Sequence, residues 1–328
     1  MTSPQLGYTL SSEEHDPSTL VANARRAEDA GFDFVSISDH FHPWVDRQGH
    51  SPFVWSVIGG VAATTQRISL GTGVTCPTQR THPAIIAHAA ATSGCLMPGR
   101  FVLGLGTGEA LNEHITGERW PEYEVRAERL EEAIEVIRAL WTGDVTSHHG
   151  RHFTVENARI YDVPDDVPPI IVAAGGTRTA ELAGRIADGL WMSSVDPETV
   201  KAYRKAGGSG PIYAQMGVCW GPSKVDAVKL AHEIWPNAGI RGQASQELPD
   251  PSHFEELARM VSPEDIEAAF PCGPDVEPIL GKAWEALDAG VTHLYFHQIG
   301  PDQEPFLDMA EREILPVLRA PARRRRRT

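Results

Sequence analysis

Short apolar runs alternate with longer amphipathic ones along almost the whole chain, the pattern left by parallel strands buried beneath helices. The runs predict strands at Leu6–Leu10, Phe34–Ser38, Ile68–Thr72, Phe101–Leu105, Ile170–Ala173, Gly189–Met192, Ile212–Val218 and His293–Phe296. Positions repeating at helical spacing predict helices at Pro17–Ala30, Phe53–Thr65, Pro83–Leu96, Val125–Trp141, Arg178–Ala187, Glu198–Lys205, Val276–Ala289 and Glu304–Leu315. Two junctions echo each other: Ala30-Gly31-Phe32 and Ala289-Gly290-Val291 each put a glycine where a helix must stop just before a strand. Glycine adopts the left-handed conformation that such an ending uses. Eight strand–helix units in 328 residues fit a closed (β/α)8 TIM barrel of the α/β class better than an open sheet.

Two stretches break the repeat. Residues Gly143 to Asp162, with His148, His149 and Gly150 followed by Phe153 and Val155, read as a hairpin. Residues Trp235 to Pro274 are rich in Pro and Gly, with a short helical piece near Phe254–Met260. They separate the seventh strand from its helix, so they are expected to cover the barrel mouth, and an insertion of that length is usually functional. The domain reading is one barrel over residues 1–320, insertions near 143–162 and 235–274, and a basic tail over 321–328 expected to be disordered.

Composition narrows the function classes. Hydrophobic residues make up 41% and charged residues 22%, enough for a large core and unlike a disordered chain. No apolar run approaches the length of a membrane span and no secretory leader is visible, so membrane insertion is not expected and a cytoplasmic location is. Cys76, Cys95, Cys219 and Cys272 are widely spaced, without a CxxC pair, and predict ordinary thiols. A net charge of -15 argues against nucleic acid as a partner, since the average field repels it. The arginine run Arg323 to Arg327 is a local exception, of the kind usually solvated.

In a TIM barrel the working residues sit at the C-terminal strand ends. The second strand ends in Ser38-Asp39-His40-Phe41-His42-Pro43-Trp44. His40 is suited to take a proton from a substrate hydroxyl, with Asp39 to orient it or bind a ligand, although both residues could equally cap a loop. His40 and His42 also form an HxH, but later strand ends offer no further ligands, so no metal is expected. The fourth strand ends in Gly104-Leu105-Gly106-Thr107-Gly108-Glu109, followed by Asn112. Glycines there let backbone approach a flat ring or phosphate, and Glu109 adds a second proton-transfer group. The fifth ends in Ala174-Gly175-Gly176-Thr177 at a helix start, where free N–H groups favour phosphate, or where a tight turn simply needs glycine.

Together with Leu70-Gly71-Thr72, Pro77-Thr78, Gly94-Cys95-Leu96, Ile160-Tyr161-Asp162-Val163-Pro164 and Phe296-His297, these strings resemble the coenzyme F420-dependent branch of the bacterial luciferase-like superfamily. The likeness is strongest to its F420-dependent glucose-6-phosphate dehydrogenases and extends over nearly the whole chain. It implies a deazaflavin ring in the barrel mouth, contacted by Asp39, Gly73, Val74, Gly106, Thr107, Gly108, Glu109 and Asn112, with its phosphate near Ala174, Gly175 and Gly176. It implies His40 as base, Trp44 as a ring shaping the pocket, Glu109 as acid, and a non-proline cis peptide at Gly73-Val74. Glycine at position 73, where relatives often carry serine, is expected to relieve crowding. Cys76 stands where relatives have a hydroxyl residue that meets substrate.

The implied reaction is oxidation of a secondary alcohol or lactol, or the reverse reduction of a ketone, in a homodimer. Glucose 6-phosphate is not the expected substrate. Its phosphate is held in relatives by two lysines and an arginine, and the matching positions here are Asp196, Ser245 and Ala269. Leu190, Trp191 and Met192 are expected to make the substrate pocket apolar, and Arg241 in the lid is the one cation placed to substitute. A sugar-phosphate dehydrogenase, a flavin mononucleotide monooxygenase and a cofactor-binding protein without turnover remain as alternatives.

Overall fold

The computed structural model describes residues 3–240, 242 and 244–320. The strands are β1 (Gln5–Leu10), β2 (Phe34–Ile37), β3 (Ser69–Thr72), β4 (Phe101–Leu105), β5 (Thr146–His149), β6 (Thr154–Ala158), β7 (Ile170–Ala173), β8 (Gly189–Met192), β9 (Ile212–Val218) and β10 (His293–Gln298). All but β5 and β6 form a closed parallel barrel in the order β1-β10-β9-β8-β7-β4-β3-β2, with helices outside, so the TIM barrel expected from the sequence is the fold. The remaining two pair antiparallel as the hairpin between Gly143 and Asp162. Glu132 anchors it from the helix Tyr123–Leu140 by accepting from the backbone N–H groups of His152 and Phe153.

Alternation along each barrel strand separates two cores. Leu190, Met192, Val35, Ile37, Leu103 and Val172 face outward into the helix layer. Phe34, Ile171, Trp191, Tyr213 and Tyr295 face inward and fill the barrel. Trp191 stacks on Tyr213 at 4.5 Å and 4°, and its Nε1–H donates to the Tyr295 hydroxyl at 2.6 Å. This corrects the expectation that Leu190 and Met192 line a pocket, since only the middle residue of that triplet can point inward.

The insertion over 235–274 holds four helical pieces, Pro236–Gly239, Ala244–Glu247, Pro251–Ala258 and Pro263–Ala269, where one was expected. Three of them begin at a proline, which reads as a breaker in sequence but presets the first turn of a helix. Asp250 and Ser262 cap two of the starts. A further helix, Lys224–Ile234, follows β9 before the insertion. The last predicted helix is divided into Gln303–Met309, a wide turn over Ala310–Ile314 and Leu315–Leu318, consistent with Pro316 lacking an N–H. Arg241 and the Arg323 to Arg327 tail lie outside the described residues. No helix among the described residues is long and apolar enough to cross a membrane.

The inner aromatic cluster contributes to the stability of the barrel. Trp191→Ala is expected to cost about 4 kcal/mol and Trp191→Phe, which loses the indole donor and some area, about 1.5 kcal/mol, as read from urea unfolding midpoints.

Candidate active site

Inward positions two residues above the aromatic cluster turn polar. Ser36 and Ser38 follow Phe34, Ser193 follows Trp191, Gln215 follows Tyr213 and His297 follows Tyr295. With Thr9 and Ser11 of the first strand and its loop, they form the floor of a cleft of about 740 Å³ at the C-terminal mouth. Trp44, Met216, Trp235, Ile240, Phe254 and Phe270 supply an apolar wall, several of them from the insertion. A narrower slot of about 190 Å³ adjoins it, and His40, Gly73, Glu109, Ser193 and Gln215 border both.

His40 stands where the two spaces meet. Its Nδ1 lies 3.2 Å from the His42 carbonyl oxygen, which can only accept, and 3.5 Å from Glu13 Oε1. That arrangement puts the ring proton on Nδ1 and leaves Nε2 as the basic atom, 3.6 Å from Glu109 Oε2. The Trp44 ring packs beside the imidazole at 5.1 Å. Ser38 and Ser11 hydroxyls both donate to Glu13 Oε2, at 2.7 and 3.2 Å, so this carboxylate is fixed from behind. Glu109 keeps 30% of its side chain accessible, but into the enclosed mouth. Burial pushes its carboxyl up to about 7; His40 opposes the shift, while Glu13 and Glu113 add to it.

The slot is walled by backbone. Gly73, Val74, Gly106, Thr107, Gly108, Ala173, Ala174 and Gly175 border it, and the Gly73-Val74 peptide is cis, as the resemblance implied. A Cβ at Gly108, which has a φ of +82°, would lie 2.5 Å from Cys76 Sγ, and one at Gly106 2.8 Å from Val74. A Cβ at Gly73 would lie 2.3 Å from Ser36 Oγ and 3.0 Å from the Trp191 ring. A side chain at position 73 would therefore displace the Ser36 hydroxyl and press on the Trp191 ring, so glycine leaves this corner uncrowded. At one end of the slot Asn112 Oδ1 accepts from the Phe41 and His42 N–H groups, and its Nδ2 donates to Glu109 at 3.3 Å. Asp39 accepts from the Thr75 hydroxyl at 2.7 Å and from Arg80 at 2.9 Å. Burial works against the Arg80 charge, but Asp39 and Glu113 outweigh it and hold the guanidinium above its ordinary range. At the other end Gly176 begins the helix Thr177–Ile186 without a side-chain cap, and a Cβ there would meet open space.

The expected residues sort unevenly. His40, Trp44 and Glu109 converge, and Ser245 and Ala269 border the cleft. Trp191 and Cys76, expected beside substrate, border the slot instead. Asp196 faces away from the cleft: its carboxylate accepts from Glu198 and Thr199 N–H groups and caps the helix Pro197–Lys205. Position 196 therefore contributes no free carboxylate to the pocket. His42 turns from His40 to the Leu111 carbonyl and stacks on His114, so the HxH does not converge. Glu13, Arg80 and Gln215 were missed, and His297 was named only within a family string and given no role. Glu13 lies in a loop before the first helix, and only the closure of the barrel brings it to His40.

The barrel thus carries a histidine–glutamate pair and a glycine-walled slot together at its C-terminal mouth. The chain belongs to the luciferase-like monooxygenase family, which it matches over residues 1–293. It is 40% identical to an F420-dependent glucose-6-phosphate dehydrogenase of Nocardia farcinica, covering 96% of this chain and 98% of that one. The corresponding protein of Rhodococcus erythropolis is 37% identical at the same coverage. Among solved structures, an F420-dependent secondary alcohol dehydrogenase in complex with an F420-acetone adduct superposes with a TM-score of 0.90 at 30% identity, covering 97% of this chain and all of that one.

The raised Glu109 carboxyl has a thermodynamic consequence. Its protonated form is favoured in the fold, so stability is highest below about 4.5, falls as pH rises towards about 7, and changes no further from this source above that. Glu109→Gln removes the dependence, so its stability relative to the parent is expected to rise between pH 5 and pH 8. Urea unfolding across that range measures it, and a constant difference would place the carboxyl in a water-like setting.

Proposed function

We propose that this protein is an F420-dependent dehydrogenase that oxidises a neutral secondary alcohol or lactol, the observation carrying the reading being the His40–Glu109 pair on the wall common to cleft and slot. The slot suits the group: a side-chain-poor surface for a flat ring, Asp39 and Asn112 at one end, and uncapped N–H groups after Gly175 and Gly176 for a phosphate. Asp39, Gly73, Val74, Gly106, Thr107, Gly108, Asn112, Ala174, Gly175 and Gly176 are the residues that would hold it. When bound, the deazaflavin supplies the hydride acceptor.

The chain's own part is position and proton traffic. His40 Nε2 takes the hydroxyl proton, and Glu13, 3.5 Å from Nδ1, stabilises the imidazolium so formed. Glu109, poised near 7, holds or releases a proton on the slot side of His40. Trp44 and Phe254, edge to face at 5.2 Å, close the apolar side and exclude water. The names of the relatives favour the same cofactor.

Against a sugar phosphate stand the charges of the cleft. Glu13, Glu109 and Glu285 border it, and the one lysine or arginine among its described lining residues, Lys282, donates to the carbonyls of Ala268 and Ala269 at 3.2 and 3.1 Å. Burial pushes that ammonium below the ordinary lysine range. A dianion would meet carboxylates and an already committed cation, losing contacts that contribute about 1.5 to 3 kcal/mol each.

Three measurements test the reading. In fluorescence titration F420 is expected to bind far more tightly than flavin mononucleotide, and comparable affinities would remove the cofactor assignment. His40→Ala should lower kcat by about 10²- to 10⁴-fold with F420 affinity nearly unchanged; retention of more than about a third of the rate would remove the base. Neutral secondary alcohols should outperform glucose 6-phosphate at equal F420. Efficient glucose 6-phosphate oxidation, abolished by Arg241→Ala, would instead establish the sugar-phosphate reading with the lid arginine as the anion ligand.

A further inference from the structure

A buried polar chain runs from the loop after β1 to the wall between cleft and slot, and none of the steps above uses it. Glu14 Oε2 accepts from the Gly300 N–H at 2.8 Å, and its Oε1 lies 2.7 Å from His297 Nε2. The His297 side chain is 1% exposed, its ring set edge to face against Trp235 at 4.5 Å. On its other side, His297 Nδ1 lies 3.2 Å from Gln215 Nε2. Gln215 borders both spaces, and among the described residues its Oε1 has no hydrogen-bond partner.

Glu14 sets the direction of the whole chain. A carboxylate only accepts, so His297 Nε2 carries the proton, and a neutral imidazole then has Nδ1 as an acceptor. The Gln215 amide answers with its NH2. Because the carboxamide is planar, fixing the nitrogen towards His297 turns Oε1 away from it, towards the open space. The mouth thus presents a bare acceptor on β9, across the barrel from the hydroxyl-binding His40 after β2.

Resting on the dehydrogenase reading, we propose that Gln215 is a specificity-determining residue whose Oε1 accepts a hydrogen bond from a second hydroxyl of the substrate, with His297 and Glu14 as positioning residues. The substrate class is then a neutral polyhydroxylated alcohol. The surroundings agree: the floor carries Ser36, Ser38, Ser193 and Thr9, whose buried Oγ1 has no partner, and it faces the rings of Trp44 and Trp235. Hydroxyl edges on such a floor and C–H faces against such rings suit a polyol better than a simple hydrocarbon alcohol.

The test compares cyclohexane-1,2-diol and cyclohexane-1,3-diol, each with its mono-methyl ether, which keeps the reacting hydroxyl but cannot donate at the second oxygen. In the parent at least one diol is expected to exceed its ether about tenfold in kcat/KM, and Gln215→Leu to bring that ratio near one. In Glu14→Gln the Gly300 N–H keeps the amide oxygen, so the amide NH2 faces His297 Nε2, the ring proton moves to Nδ1 and the Gln215 NH2 turns outward. Diol and ether oxygens can both accept from it, so the ratio is expected to fall near one although Gln215 itself is intact. A merely structural role for Glu14 would leave the diol preference in place. Nitrogen-15 NMR of the histidines reads the tautomer directly, and thermal midpoints establish that the variants fold; if Glu14→Gln does not, Gln215→Leu and the NMR spectrum decide. Binding constants from tryptophan fluorescence give the same ratios without turnover, so absence of F420 reduction would sink the dehydrogenase reading alone. An undiminished diol preference in Gln215→Leu, no diol preference in the parent, or a protonated Nδ1 would overturn the proposal.

Discussion

The barrel has to be filled, and the rest of the site depends on what fills it. Phe34, Trp191, Tyr213 and Tyr295 occupy the interior, with Trp191 flat on Tyr213 and hydrogen-bonded to Tyr295. Side chains on a strand recur on one face every second residue, so each aromatic fixes the place of a polar group above it. Ser36, Ser193, Gln215 and His297 are inward because their neighbours two positions earlier are. The same stack leaves no room for a side chain at position 71, where a Cβ would lie 2.8 Å from the Trp191 ring.

Above that stack the mouth concentrates ionisable groups where water is scarce. Glu109 responds by holding its proton up to about neutral pH, while Asp39 and Glu113 are bridged by Arg80. These are different solutions to the same desolvation. Glu109, whose burial only His40 and Asn112 oppose, titrates near working pH and is suited to proton transfer, and Glu113 is raised by burial as well, with Arg80 working against the shift. The insertion completes the mouth by setting Trp235 and Phe254 over the cleft.

Much of this was legible from the chain. The eight barrel strands follow from apolar runs, and His40, Trp44, Glu109 and the glycine strings follow from strand ends, because local pattern and the rule that barrels work at their C-terminal face need no long-range knowledge. The lid was legible only as an interruption. Its helices were hidden by Pro236, Pro251 and Pro263, which mark a helix start as readily as a break.

By itself, then, the sequence determined the barrel, the strand ends that carry chemistry and the glycines that let backbone form a slot, since each is set by residues close together in the chain. Only the tertiary structure decided which side chains meet. Glu13 reaches His40, Glu14 reaches His297 some 283 positions away, and Gln215 joins them because β1, β9 and β10 are neighbours in the closed sheet. It also decided that Asp196 caps a helix rather than facing substrate, and that Leu190 and Met192 turn outward. Those outcomes depend on register and on competition for hydrogen bonds, which a linear pattern leaves open until the strands have paired.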